Sequence, residues 1–295
     1  MPDLGSTLRI FRPAPNVIAF YDGRIPGMRA YSPEPNWLDD GAYELGVCTY
    51  AIVSGAEALV YDTHITPTHA RIIRTTLAGE GIARPTVVLS HWHRDHVAGN
   101  EVFADCEIIA HALTARTLEE QRQSIETGRP PIRPLIGPTR TYEGKLRIKV
   151  GDLEVELHHA DIHSLDGTLL LVPERSLLFA GDALEDPITY VAEPDRLAIH
   201  LASLRRIAGW PVERILPNHG DPDVIARGGY GPGLVQATIH YLEKLLRCRS
   251  EPDLAGRSLH EWIRDDLAQG RIHAFPPYEA VHRENLRKVL ALSSG

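Results

Sequence analysis

The sequence predicts an α/β fold whose strands are buried on both faces, and three observations carry that expectation. Short apolar runs such as Thr86-Val87-Val88-Leu89 are continuous rather than alternating, which suits strands covered on both sides. Segments of helical period lie between such runs, as where Ala70, Ile73 and Leu77 recur at three and four residues. The polar residues able to do chemistry fall directly after strand ends, where open α/β sheets build their sites.

Taken in order, Asn16–Tyr21 reads as a strand ended by the turn Asp22-Gly23. Pro26, Pro33 and Pro35 break regular structure and predict a loop, in which Tyr31, Trp37 and Tyr43 read as packing aromatics rather than a pocket wall. Val47–Val53 and Ala58–Tyr61 read as paired strands across Ser54-Gly55-Ala56, Pro67–Leu77 as a helix, and Thr86–Leu89 as a buried strand. Val97–Asn100 leads into a short helix. Glu107–Ala110 is a strand with His111 at its end as a candidate pocket residue, and Leu113–Ile125 is helical. The proline-rich Gly128–Pro134 is a connection, because strand patterns resume at Lys145–Val150 and Leu153–Leu157. Thr168–Val172, the turn Pro173–Ser176 and Leu177–Ala180 predict a tight hairpin of buried strands. Asp195–Gly209 is an amphipathic helix with Leu197, Leu201, Leu204 and Ile207 on one stripe, and Arg214–Pro217 is a last strand. Helical segments follow near 231–247, 257–268 and 278–292.

Composition narrows the class. The 295 residues are 43% hydrophobic and 24% charged, as in an ordinary globular protein, and fit one large α/β unit. A net charge of −8 argues against a phosphate-backbone partner, which demands basic patches. Cys48, Cys106 and Cys248 are odd in number and far apart, so they form no disulfide framework, and Cys106 reads as a small buried hydrophobe. Met1-Pro2-Asp3-Leu4-Gly5-Ser6 does not open a signal peptide, and no apolar run approaches the ~18 residues of a membrane span. A cytoplasmic, reduced location is the expectation.

Ser90-His91-Trp92-His93-Arg94-Asp95-His96 follows the strand Thr86–Leu89 and carries the pattern His-x-His-x-Asp-His. Packed cores have no use for that density of polar groups, whereas neutral imidazole and carboxylate both bind divalent metals. Downstream, His163 precedes Thr168–Val172, Asp182 ends Leu177–Ala180, and His219 ends Arg214–Leu216. His158 and His159 compete with His163, which the following loop and strand favour. His200, His240, His260, His273 and His282 lie in helical or tail regions and read as surface or packing. A two-metal hydrolase needs such a set: three imidazoles on one ion, a mixed set on the other, and a carboxylate bridging them at about 3.5–4 Å.

Five features, His91-x-His93-x-Asp95-His96, His163 before Ser164-Leu165-Asp166-Gly167, Leu178-Phe179-Ala180-Gly181-Asp182, Leu216-Pro217-Asn218-His219-Gly220, and the ten residues from His163 to Pro173, run in order from about Val47 to Gly220. Together they resemble the metallo-β-lactamase superfamily of metallohydrolases. The resemblance implies a four-layer αββα sandwich, read here as a single domain over residues 1–295, with its core at about 15–225 and a helical C-terminal extension at about 226–295. It implies that His91, His93 and His163 hold one divalent ion, that Asp95, His96 and His219 hold a second, and that Asp182 bridges. Zinc is the expected ion for a His/Asp set without cysteine, with iron and manganese as alternatives. The implied activity is a binuclear metal-dependent hydrolase, in which a metal-bridging hydroxide attacks a small-molecule ester, lactone, thioester or amide. Asp95 is the candidate proton shuttle and Tyr190 a candidate oxyanion donor. An iron-dependent oxidoreductase or a nuclease of the same fold are the alternatives. A small-molecule substrate, no nucleic acid, no membrane and an optional homodimer complete the expectation. The family often has Gly before the third and last histidines; Ile162 and Asn218 stand there, which bears on local loop geometry.

Overall fold

Alternation along the strands sorts side chains into two cores, one on each face of the larger sheet. The computed structural model describes residues 3–292. Seven strands form that sheet in chain order: β1 (Arg9–Ala14), β2 (Val17–Asp22), β3 (Val47–Ser54), β4 (Glu57–Tyr61), β5 (Thr86–Val88), β6 (Ile108–His111) and β7 (Arg140–Tyr142). The first four are antiparallel neighbours, and β4 to β7 run parallel. Five strands form the second sheet: β8 (Lys145–Val150), β9 (Leu153–His159), β10 (Thr168–Val172), β11 (Leu177–Gly181) and β12 (Arg214–Pro217), antiparallel except for the parallel pair β11–β12.

Along β2, Val17, Ala19 and Tyr21 enter the core between the sheets, while Ile18 and Phe20 enter the outer core. The outer core is closed by α1 (Pro67–Gly79) through Ala70, Ile73 and Leu77, and by the later helices α3 (Ala112–Glu120) and α4 (Arg122–Glu126) through Leu118 and Ile125. Between α1 and α3 comes α2 (Arg94–Val97), a single turn within the histidine stretch. The far face of the second sheet is covered by α5 (Leu197–Ile207), whose stripe Leu197, Leu201, Leu204 and Ile207 is buried as its period requires. After α6 (Pro222–Ala226), α7 (Gly233–Arg247), α8 (Pro252–Ala255), α9 (Leu259–Ala268) and α10 (Tyr278–Ala291) complete that outer layer. The result is the expected αββα sandwich with C-terminal helices.

Three tyrosines of the first sheet reach across to the strand ends that carry the site. Tyr61 donates to the Thr168 carbonyl, Tyr50 to Pro217 at 2.5 Å and Tyr21 to Gly220 at 2.9 Å. Phe179 on β11 packs against both Tyr50 and Tyr61, with ring centroids 5.3 and 6.1 Å away. These cross-links fix where β11 and β12 end relative to β5.

The strand and helix expectations hold with small boundary shifts. Elements outside them include the edge strand β1, the three-residue β7, a π-helical turn at Asp39–Glu44 and the short helices α2, α6 and α8. Edge and very short strands bury little, so β1 and β7 leave a weak apolar pattern. Trp37 and Tyr43 pack as expected and Cys106 is buried in the outer core, whereas Tyr31 is exposed. Among the described residues no helix is long and apolar enough to cross a membrane.

Candidate metal centre

Every predicted ligand lies just past a strand of one sheet or the other, so the sandwich itself gathers them. His91 follows β5, His93 caps α2, and Asp95 and His96 project from that short helix. His163 sits in the loop between β9 and β10 in the left-handed region, at φ 65°, clasped by a bridge between Ile162 and Ser164. A non-glycine residue there costs about 1–2 kcal/mol, a strain common where a side chain must be aimed. Asp182 follows Gly181, whose φ is 56°; a Cβ at Gly181 would lie 3.1 Å from Ser90 Cβ and from the Tyr61 hydroxyl. Only glycine fits that turn without displacing β5 or the tyrosine cross-link.

Two clusters result, with Asp182 common to both: His91, His93, His163 and Asp182, and Asp95, His96, Asp182 and His219. In the first, His93 Nδ1 lies 2.9 Å from His91 Nε2 and 3.0 Å from His163 Nε2. In the second, Asp95 Oδ2 lies 3.4 Å from His96 Nε2 and 3.3 Å from His219 Nε2. Asp182 Oδ2 stands 3.5 and 3.6 Å from His91 and His163, and 3.1 and 3.4 Å from His96 and His219. Ligand atoms ~2.1 Å from a tetrahedral ion are about 3.4 Å apart, so these separations match coordination. Asp182 Oδ1 is buried and has no hydrogen-bond partner. An orphaned, buried carboxylate oxygen is expensive unless a cation satisfies it. The donor set therefore fits a pair of divalent ions.

The outer nitrogens show which tautomers the fold selects. His163 Nδ1 donates to the Tyr190 carbonyl at 2.8 Å and His219 Nδ1 to that of Gly46 at 2.5 Å. His96 Nδ1 donates to Asp62 at 3.0 Å. Ser90 Oγ uses its own proton on Asp62 at 2.6 Å, so it accepts from His91 Nδ1 at 2.9 Å. In all four rings the outer nitrogen carries the proton, which leaves the inner lone pair facing the cluster.

Burial drives His93 down to about 3, His163 to about 4 and His91 well below the usual imidazole range. These three are neutral donors. Burial opposes charge on His96 and His219 as well, but Asp182 and Asp95 outweigh it and raise both. The second cluster thus favours positive charge between its carboxylates, a demand a divalent cation meets.

A cavity of about 540 Å³ opens above the clusters. His93, Asp95, His163, Asp182 and His219 form its floor, Glu44, Leu45 and Tyr190 line its sides, and Pro277, Ala280, Val281 and Glu284 make a wall at α10. Glu185 is buried in this wall, and burial raises it to about 8 against the pull of His219, with Asp182 adding to the rise.

A model of the metallo-beta-lactamase superfamily matches residues 42–219. The chain belongs to that superfamily. It is similar to the lactamase-like protein ptaB of Pestalotiopsis fici, at 28% identity over 60% of this chain and 51% of that one. It is similar also to the atrochrysone carboxyl ACP thioesterase dmxR1 of Cryptosporiopsis sp., at 27% over 59% of this chain and 49% of that one. A beta-lactamase-like protein 2 homolog of Drosophila melanogaster is 26% identical over 60% of this chain and 59% of that one. The chain thus spans about half the length of the first two relatives. A metallo-beta-lactamase from Pontibacter korlensis superimposes with a TM-score of 0.61 at 15% identity, over 80% of this chain and 99% of that one. The DIM-1 metallo-beta-lactamase gives 0.60 at 18%, over 80% and 96%; these likenesses are of fold alone.

All seven predicted metal-site residues of this superfamily member converge, and Tyr190 lines the same cavity. His111 does not: it stacks on His159 at 4.1 Å, away from the cavity floor. His158 bonds Glu156 at 2.9 Å, and His159 reaches only the Leu165 carbonyl of the ligand loop at 2.7 Å. His200 is buried beside Asp161 at 3.3 Å, and His282 is buried against Tyr241 at 3.0 Å. Sequence reasoning missed Asp62, a fully buried hub that accepts from the Ser90 amide and hydroxyl, His96 and Asn218. Its position directly after β4 was the available signal. Asn218, noted as a departure from glycine, uses its amide to hold Asp62.

Proposed function

We propose that the protein is a binuclear metal-dependent hydrolase of small-molecule acyl substrates, with thioesters the favoured class. The observation that carries this reading is the single carboxylate Asp182, shared by both ligand clusters and left with one buried, unpartnered oxygen. His91, His93 and His163 would hold one ion, Asp95, His96 and His219 the other, with Asp182 common to both. Such a pair supplies Lewis acidity, lowering the pKa of water toward ~7 and polarising a carbonyl. Zinc fits the donor types best. Around them, Asp95 is half-buried at the cavity floor, suited to accept and pass on the proton of an attacking water at its carboxylate. Tyr190 presents a phenol at the cavity side, suited to a developing oxyanion. The apolar wall of Pro277, Ala280 and Val281 suits an uncharged acyl group.

Support for the thioester class comes from relatives named thioesterases. The nuclease alternative is disfavoured, because no lysine or arginine is among the described residues lining the cavity. A reduced, cytoplasmic setting is supported by three buried free cysteines.

The test is elemental analysis of protein purified without chelator, followed by hydrolysis assays on acyl thioesters, lactones and β-lactams. Two zinc ions per chain and chelator-sensitive thioester hydrolysis are expected. His93→Ala should retain fewer ions and lose more than about 100-fold in rate, exceeding the effect of disturbing a ligand's hydrogen-bond partner. Hydrolysis indifferent to chelator would sink the proposal, and iron in place of zinc would move it to the oxidoreductase branch.

A further inference from the structure

The loop Thr189–Tyr190–Val191 is gripped from behind by α10. The Asn285 side chain is fully buried; its oxygen accepts from the Val191 amide at 2.8 Å, and its nitrogen donates to the Thr189 carbonyl at 3.0 Å. One turn on, Lys288 Nζ donates to the Val191 carbonyl at 3.0 Å and to the Tyr190 hydroxyl at 2.5 Å. The Val191 amide and the Tyr190 carbonyl belong to one peptide group. That carbonyl is the acceptor for His163 Nδ1 at 2.8 Å. Asn285 and His163 therefore hold opposite ends of the same peptide. Accepting a hydrogen bond from its N–H polarises the carbonyl and makes it a better acceptor, which in turn fixes the imidazole tautomer and raises the basicity of its inner nitrogen.

We propose that Asn285 is a positioning residue for His163, acting through the Tyr190–Val191 peptide, so that the C-terminal helix α10 sets the metal affinity of the three-histidine cluster. The proposal rests on the metal-centre reading above. It makes the C-terminal helices part of the metal centre rather than only a wall of the cavity. Asn285 touches no predicted ligand, and its effect is carried by main-chain atoms, so no motif marks it.

The experiment is competition between the full-length protein and a chromophoric chelator for zinc, together with the visible spectrum of the cobalt-substituted protein. Asn285→Ala should bind one of its two ions about 10- to 100-fold more weakly and shift the cobalt bands. Lys288→Met loosens the same loop from the half-buried side and should weaken that ion about 10-fold; it decides the matter if Asn285→Ala does not fold. Val289→Ala, at a buried α10 residue whose side chain makes no hydrogen bond to the loop, is the control for general destabilisation. It should lower the melting temperature and leave both ions and the cobalt bands as in the wild type. Wild-type affinity in both Asn285→Ala and Lys288→Met would overturn the proposal, as would equal weakening in Val289→Ala. A wild-type protein that binds no ion would fail the metal-centre reading itself, a separate result.

Discussion

Within the candidate centre, individual residues divide into those that form the two clusters and those that aim them. Asp62 belongs to the second kind and accepts four hydrogen bonds while fully buried. Asp62→Ala would strand the Ser90 amide and the Asn218 side chain, each costing about 1–3 kcal/mol. It would also free His91 and His96 to change tautomer, so metal affinity should drop about 10- to 100-fold in chelator competition. Asp166, in the ligand loop, shows the electrostatic cost of burial. Desolvation raises it to about 6, against the hydrogen bond from Ser164. The folded state therefore favours the neutral acid. Stability from this group is intact below pH ~4 and is lost as pH rises through about 6. Asp166→Asn should gain about 2 kcal/mol on the wild type between pH 4 and pH 7 in chemical denaturation. A constant difference across that range would contradict the assignment.

Strand β11 and the turn after it show how an element delivers a candidate ligand. Its side chains Leu177, Leu178, Phe179 and Ala180 are all buried, which anchors the strand between β10 and β12. Gly181 then takes a left-handed conformation that other residues adopt only at a cost, and Asp182 emerges between the two histidine sets. Gly181→Ala adds about 1–2 kcal/mol of left-handed strain and a contact with Ser90 and Tyr61 at 3.1 Å. The expected result is a lower melting temperature with a disproportionate loss of metal, because Asp182 belongs to both clusters. Retention of two ions at wild-type affinity would show that the turn has slack.

For the molecule as a whole, we propose that residues 1–295 form one folding unit in which the C-terminal helices are not an appendage. Trp262 on α9 is buried between Tyr241 of α7 at 5.6 Å and His282 of α10 at 4.7 Å, and its indole donates to the Leu254 carbonyl at 2.9 Å. The α7 and α10 side chains continue into the core between the sheets and their outer helices. Trp262→Ala should cost about 3–5 kcal/mol and lower one cooperative transition seen equally by circular dichroism and by metal release. Two separated transitions would mean that the helices melt on their own.

The residues of the two clusters, the sheet strands and the helix stripes were legible in the sequence because each depends on short-range chemistry. A continuous apolar run marks β10 and β11, a 3.6-residue period marks α5, and imidazoles at His91, His93 and His96 stand within six positions of one another. The weakly buried β1 and β7 escaped, because little apolar surface leaves little pattern. Tertiary structure alone decided the partners that come from far along the chain. Asp62 meets His96 and Asn218, which lies 156 residues away from it. His219 finds the Gly46 carbonyl 173 residues back, and Asn285 reaches the loop that orients His163 from 94 residues on. Coordination chemistry writes itself into the ligands, whereas the hydrogen bonds that aim them use main-chain carbonyls and common residues, whose roles exist only once the sheets have stacked.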